Sequence, residues 1–110
     1  RGAEVVDLLA ALNTGHDGGA GTLHANSVWE VPARMEALAG LGGLDRDALH
    51  SQLAAAVHVV LAMERRPEGR CLAHIGLLEG NPVVPELIWS IDTGKGPGYG
   101  DFAERLGVAP

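Results

Sequence analysis

The feature that most constrains this chain is a glycine-rich stretch from residue 14 to residue 27. It holds four glycines, two histidines, one aspartate and three hydroxyl side chains within fourteen positions. Glycine permits positive φ angles and close approach of the backbone to another group, and a core strand needs neither. Imidazole and carboxylate groups beside such a backbone bind ligands or transfer protons. The stretch therefore predicts a loop that faces a ligand or another backbone.

Composition limits the size of the fold and the class of partner. A chain of 110 residues that is 46% hydrophobic but only 4% aromatic supports one domain with a modest core. A net charge of −6 argues against a nucleic-acid surface, which needs clustered cations. The single cysteine, Cys71, excludes an internal disulfide and fits a reducing compartment. The longest apolar run, residues 57–63, is too short to span a bilayer.

Hydrophobic periodicity and capping residues predict the order of the elements. Before the glycine-rich stretch we expect a helix over 3–13, and near the end of the stretch a short strand over 21–25 with Thr22 and His24 on one face. A second helix, capped by Asn26 or Ser27, should run to about Leu41, and a third over 46–56 should be capped by Asp45 and leave His50 exposed. The second half predicts a hairpin of strands 57–64 and 71–79, a turn at 80–82, an edge strand at 87–91, a flexible link at 93–100 and a short helix begun by Asp101.

Several chemical interpretations of the glycine-rich stretch stay open from the residues alone. A phosphate-binding P-loop needs Gly-x-x-x-x-Gly-Lys-Ser/Thr, and the only lysine, Lys95, has no such context. His16, Asp17 and His24 could supply three metal ligands, although their spacing matches no common zinc motif. His24 could equally be a buried core histidine. Arg34 is either an anion ligand or a surface residue paired with Glu30 at i,i+4.

The pattern Thr-Gly-His at 14–16, followed by Thr-Leu-His-Ala-Asn-Ser at 22–27, resembles a known family motif. It is similar to the histidine box of the type II/IV secretion ATPases (the GspE-like superfamily), and closest to the CpaF-like ATPases of tight-adherence (Tad) pilus systems. Arg1-Gly2 resembles the end of that family's Walker B segment, and Arg34 lies where the family has Ala-Arg-Leu-Glu. Two departures are Gly19-Ala20-Gly21, in place of a loop with serine or threonine, and the bulky Trp29.

The resemblance implies a fold and a division of the chain. The expected fold class is α/β: the C-terminal portion of a RecA-like P-loop ATPase core, with helices packed on a mixed sheet that includes a β-hairpin. Residues 1–80 would form this part, and residues 81–110 would form a tail with an edge strand and a short helix.

The resemblance also implies a function. Such enzymes are hexameric motors that bind ATP and Mg²⁺ between subunits at the inner face of the cytoplasmic membrane, where they work with membrane platform proteins and not with nucleic acid. The expected catalytic residues are His24, His16 and Arg34, and the expected nucleotide-binding residues are Arg1, Thr22 and Gly15.

The sequence has neither the Walker A motif nor the Walker B glutamate, so we expect the chain to be part of a longer ATPase and to be inactive by itself. The Mg²⁺ ligands would also lie elsewhere in the complete enzyme. A non-catalytic interaction module derived from such an ATPase is the alternative, followed by a small metal-binding domain.

Overall fold

The structure, a computed structural model, describes residues 2–14 and 19–107 of the chain. Within these ranges a helical layer precedes an antiparallel sheet, and a final helix packs on the sheet. The elements are α1 (Gly2–Asn13), a 3₁₀ turn (Val28–Glu30), α2 (Val31–Leu41), α3 (Arg46–Ala56), β1 (Val59–Arg66), β2 (Gly69–Glu79), β3 (Val84–Ser90), β4 (Gly94–Lys95) and α4 (Tyr99–Leu106). The predicted α/β class is confirmed.

The first three helices pack together because each presents an apolar stripe at helical spacing. Leu9 of α1, Ala39 of α2 and Leu49 of α3 are fully buried where these stripes meet. Leu78 and Val83 complete the same core cluster from the sheet side. The Asp45 side chain caps α3 as predicted, since its carboxylate accepts the Ala48 N–H at 2.8 Å.

The four strands form a meander in the order β1-β2-β3-β4, and each pair is antiparallel. Arg66 faces Gly69 across the hairpin turn, where Gly69 has a φ of 119° that favours glycine. Two register shifts interrupt the ladders, at Ala62/Met63 and at Ile75/Gly76. Such bulges bend a sheet and increase its twist.

The 3₁₀ turn joins the helical layer to the sheet through one close contact. Val28 is 1% exposed and lies directly over Gly76 of β2. A Cβ atom at residue 76 would overlap Cγ1 of Val28, so the isopropyl group occupies the space that any other residue's side chain would fill. The turn can therefore approach the sheet only because residue 76 is glycine.

One exposed surface of β1 differs from the rest of the sheet. Val59, Leu61 and Met63 alternate along the strand and are 37%, 61% and 54% exposed. Alternate residues of a strand share one face, so these three side chains form a continuous apolar stripe. Among the described strands, β1 is also an outer strand of the sheet, with β2 on one side. We call this surface the β1 stripe.

The strand predicted for residues 21–25 is wrong, because these residues lie outside the helices and strands. A strand needs a neighbour to accept its backbone hydrogen bonds, and the four described strands pair only with one another. The predicted capping role of Ser27 is also wrong in detail. Ser27 precedes the 3₁₀ turn without a side-chain capping bond, and α2 begins at Val31.

The predicted exposure of His50 is wrong, since this side chain is 2% exposed. Its partner on the sheet side, Val83, is 33 residues away, and no local pattern reports such a contact. β3 begins at Val84, earlier than predicted, and pairs with both β2 and β4. The last helix starts after Gly98 rather than at Asp101.

The contact of the 3₁₀ turn with β2 predicts the effect of a single methyl group. Gly76→Ala should lower the free energy of unfolding by about 1–3 kcal/mol, because the new Cβ overlaps Val28 in a packed site. Gly40→Ala is the matched control: it lies in α2 with open space around it and should stabilise the fold by up to about 1 kcal/mol. Urea unfolding followed by circular dichroism measures both.

A double-mutant cycle identifies the cause of the loss. Truncation of Val28 to alanine should restore part of the stability lost in Gly76→Ala, with a coupling energy of at least about 1 kcal/mol. Additive losses in Val28→Ala/Gly76→Ala would contradict the proposed overlap.

Candidate functional site

The site lies in an open groove of about 580 Å³ between the end of the glycine-rich stretch and α2. His24, Ala25 and Asn26 form one wall. The opposite wall is the helical face that begins at the 3₁₀ turn, because residues three and four apart share one face of a helix. Its lining residues are Glu30, Ala33, Arg34 and Ala37. The two alanines leave the space that larger side chains would fill.

Two close contacts explain why the glycine-rich stretch presents His24 to this groove. A Cβ at residue 21 would lie 2.6 Å from Cδ2 of Leu8, so Gly21 allows the backbone to approach α1. Leu23 then packs against the core cluster, and His24 is exposed. The interpretation of His24 as a buried core histidine is therefore wrong. Thr22 is also exposed and does not line the groove.

Arg34 and His24 bring a guanidinium and an imidazole group to the groove. Both side chains are exposed, and neither forms a hydrogen bond or an ion pair in the part of the chain that is described. Glu30 lines the same groove but does not pair with Arg34, so the predicted i,i+4 pair is not observed. The guanidinium is available to an anion, and Glu30 opposes that anion with its own charge.

The structure brings together two of the six predicted site residues, His24 and Arg34. Arg1, Gly15 and His16 lie outside the described residues, as does Asp17 of the metal hypothesis. Sequence reasoning missed Asn26 and Glu30 as groove residues. The helical spacing of Glu30 and Arg34 could have identified Glu30, whereas only the course of the glycine-rich stretch reveals Asn26.

An aromatic contact connects the 3₁₀ turn, which precedes α2, to strand β2. The rings of Trp29 and His74 meet edge to face, with centroids 6.0 Å apart and an interplanar angle of 68°. Such arrangements are favourable for aromatic rings. Trp29 therefore contacts the sheet and does not line the groove. Its side chain remains 53% exposed.

The hairpin arginines lie apart from the groove. Arg66 is held by Asp92 at 3.1 Å and by Glu64 at 3.4 Å. The hydrogen bond to Asp92 raises the pKa of Arg66 above its usual value. Desolvation opposes this increase, and the charges of Asp92 and Glu64 add to it. Arg65 and Arg70 face each other across the ladder. None of the three lines the groove.

The described residues hold neither a cluster of metal-ligating side chains nor a helix that could span a membrane. No three His, Cys, Asp or Glu side chains in residues 2–14 and 19–107 are placed to hold a metal ion. No helix in these ranges is both long and apolar enough to cross a bilayer. Cys71 is a free, half-buried thiol.

Comparison with known proteins identifies the family. The profile of the family described as type II/IV secretion system protein matches residues 1–74, which include the helical layer, the groove and most of the hairpin. The chain belongs to this family. The predicted membership of the type II/IV secretion superfamily is thereby confirmed.

The relatives of this secretion-family chain carry names that describe conjugal transfer proteins. One from Mycobacterium tuberculosis (strain H37Rv) is 65% identical over 98 residues, which are 86% of this chain and 28% of the relative. A conjugal transfer protein TrbB of Sinorhizobium fredii is 33% identical over 70 residues, 64% of this chain and 21% of the relative. TrbB of Rhizobium radiobacter is 30% identical over 80 residues, 73% of this chain and 24% of the relative.

The chain thus spans about a quarter of the length of these relatives.

The exposed Arg34 and His24 side chains predict that the groove binds an anion such as inorganic pyrophosphate. Inorganic pyrophosphate should perturb the NMR signals of His24 and of the Arg34 side chain. Arg34→Ala should weaken its binding about tenfold or more, because a hydrogen bond to a charged group contributes about 1.5–3 kcal/mol. Glu30→Gln should tighten binding, since it removes the opposing charge.

Arg46→Ala is the control for this titration, because Arg46 is an exposed arginine on α3 outside the groove. Equal losses of affinity in the Arg34 and Arg46 variants would mean that pyrophosphate responds only to the overall charge.

Proposed function

We propose that this segment contributes part of the nucleotide site of an ATP-hydrolysing motor that serves type II/IV secretion or pilus assembly. The single observation that carries the proposal is the groove that His24 of the histidine-box pattern and Arg34 of the following helix both line, with no hydrogen bond or ion pair to either of them among the described residues. Membership of the type II/IV secretion family supports it.

The proposed roles follow from the chemistry of phosphoryl transfer, which depends mainly on positioning and on stabilisation of charge. Arg34 would neutralise phosphate oxygens, and His24 would donate a hydrogen bond from its imidazole. Asn26 adds an amide donor on the same wall. We assign Thr22, Gly15 and Arg1 to contacts with the nucleotide and His16 to the catalytic set, as the resemblance implies.

The described groove supplies little for Mg²⁺. Glu30 is its one carboxylate, and Mg²⁺ bound to a nucleotide takes phosphate oxygens, waters and one or two carboxylates. We therefore place the Mg²⁺ ligands in the rest of the complete enzyme. When bound, the ion would neutralise charge on the phosphates.

The proposal extends to the assembly. The complete protein would form a hexamer of identical subunits with nucleotide bound between them, at the inner face of the cytoplasmic membrane and in contact with platform proteins of the membrane. Among the family's machines we propose a CpaF-like motor of a tight-adherence pilus. The relatives' names favour a conjugal-transfer motor as the second assignment.

A non-catalytic interaction module is the alternative function, and the β1 stripe is the observation that favours it. An outer strand can pair its backbone with a strand of another chain, and that chain could bury the three exposed apolar side chains of the stripe. ATP turnover in the complete protein separates the two functions.

The test of the motor uses a chimera in which this segment replaces its counterpart in the 65%-identical Mycobacterium tuberculosis relative. His24→Ala should lower kcat by about tenfold to a thousandfold with little change in ATP binding, because the imidazole would act mainly on transition-state charge. His58→Ala, which removes an exposed histidine outside the groove, is the matched control. An unchanged kcat in the His24 variant would refute its catalytic role.

The isolated 110-residue chain should show no Mg²⁺-dependent ATP hydrolysis, since its sequence holds no Walker A motif. Steady turnover by the purified chain, lost in the Arg34→Ala variant, would contradict this expectation.

A further inference from the structure

His50 connects three parts of the molecule from a buried position on α3. Its side chain is 2% exposed. Nδ1 lies 2.8 Å from the backbone nitrogen of Val83, in the connection between β2 and β3. Nε2 lies 2.8 Å from Oε2 of Glu36 on α2. Both ring nitrogens therefore have a partner, and the two partners come from different layers of the fold.

These partners determine where the proton of the ring lies. The Val83 N–H can only donate, so Nδ1 must accept with its lone pair. Nε2 then carries the proton and donates it to the Glu36 carboxylate. The neutral tautomer with its proton on Nε2 makes both hydrogen bonds. The neutral tautomer with its proton on Nδ1 makes neither, because two N–H groups would face each other at Val83 and two acceptors would face each other at Glu36.

A second proton would affect the two bonds in opposite directions. It can bind only at Nδ1, where the new N–H would point at the N–H of Val83. That bond is lost, and a buried backbone donor is left without a partner. At Nε2 the same charge strengthens the bond to Glu36, because the pair becomes an ion pair.

The charged groups around His50 come from the helices. Glu36 faces it from α2, and Arg46 of α3 lies 3.4 Å from the other oxygen of Glu36. The connection after β2 presents neutral groups: Val83 to His50, and Asn81, whose amide donates to the Ser51 hydroxyl. α1 reaches α3 through the neutral amide of Asn13, which donates to the Gln52 carbonyl.

We propose that His50 is a proton-sensitive latch: its protonation releases the β2–β3 connection at Val83 while the bond between α3 and α2 is kept. Val83 is also a core residue at 4% exposure, so its release loosens the contact between the sheet and the helical layer. The change is local and directional, unlike general acid unfolding. It does not depend on which ligand the groove binds.

The test is the hydrogen-exchange protection of single amides, measured by NMR as the pH is lowered stepwise from neutral to acidic conditions. Protection factors corrected for intrinsic exchange should fall about tenfold or more at Val83 as the pH falls. The Leu78 amide, which donates to the His58 carbonyl, should stay protected as an internal reference.

Two variants separate the two bonds. His50→Asn places an amide oxygen near the position of Nδ1, so Val83 should stay protected at every pH. His50→Gln places its amide near Nε2 toward Glu36, so Val83 should exchange rapidly at every pH. The loss of ring volume destabilises both variants, but that loss does not vary with pH.

Four results would overturn the latch. The first is constant Val83 protection across the pH range in the unaltered chain. The second is an equal loss of protection at Leu78, which would mean global unfolding. The third is the same pH dependence in His50→Asn. The fourth is a set of ring ¹⁵N shifts that show the Nδ1–H tautomer at neutral pH.

Discussion

The contact between Val28 and the backbone at Gly76 is the constraint on which the arrangement of the two layers depends. α2 follows the 3₁₀ turn without a break, so the distance from turn to sheet also sets the position of α2. Because protein interiors are closely packed, a shift of the 3₁₀ turn relative to β2 would also shift α2. The ring contact between Trp29 and His74 is a second attachment of the same turn to β2.

The shape of the groove depends on this contact between Val28 and Gly76, because the contact sets the position of α2. One wall belongs to α2 and the other to the segment that Gly21 and Leu23 hold against the helical layer. Neither wall depends on contacts between the exposed groups that face each other. His24 and Arg34 are thus placed by packing behind them, and their polar atoms form no hydrogen bond or ion pair within the described residues. A site built in this way is shaped before anything binds to it.

The parts of the fold that could be predicted are those encoded locally. Leucine spacing gave α1, and the Asp45 cap gave α3 at its observed start. Two of the errors involve distant partners. Residues 21–25 have a strand-like composition but no neighbouring strand in the part of the chain that is described, and His50 is buried by groups from α2 and from beyond β2. Of the predicted site residues, His24 of the histidine-box pattern and Arg34 of the following helix line the groove. Helical spacing could have added Glu30 to them, whereas Asn26 emerged only from the folded course of the chain.

The β1 stripe has a consequence for how the chain behaves in solution. Val59, Leu61 and Met63 keep apolar side chains in contact with water on the folded surface. Exposed apolar surface on an outer strand promotes association between copies of a chain. The concentration at which the isolated chain stays dispersed would therefore be limited by this stripe, and not only by its thermodynamic stability.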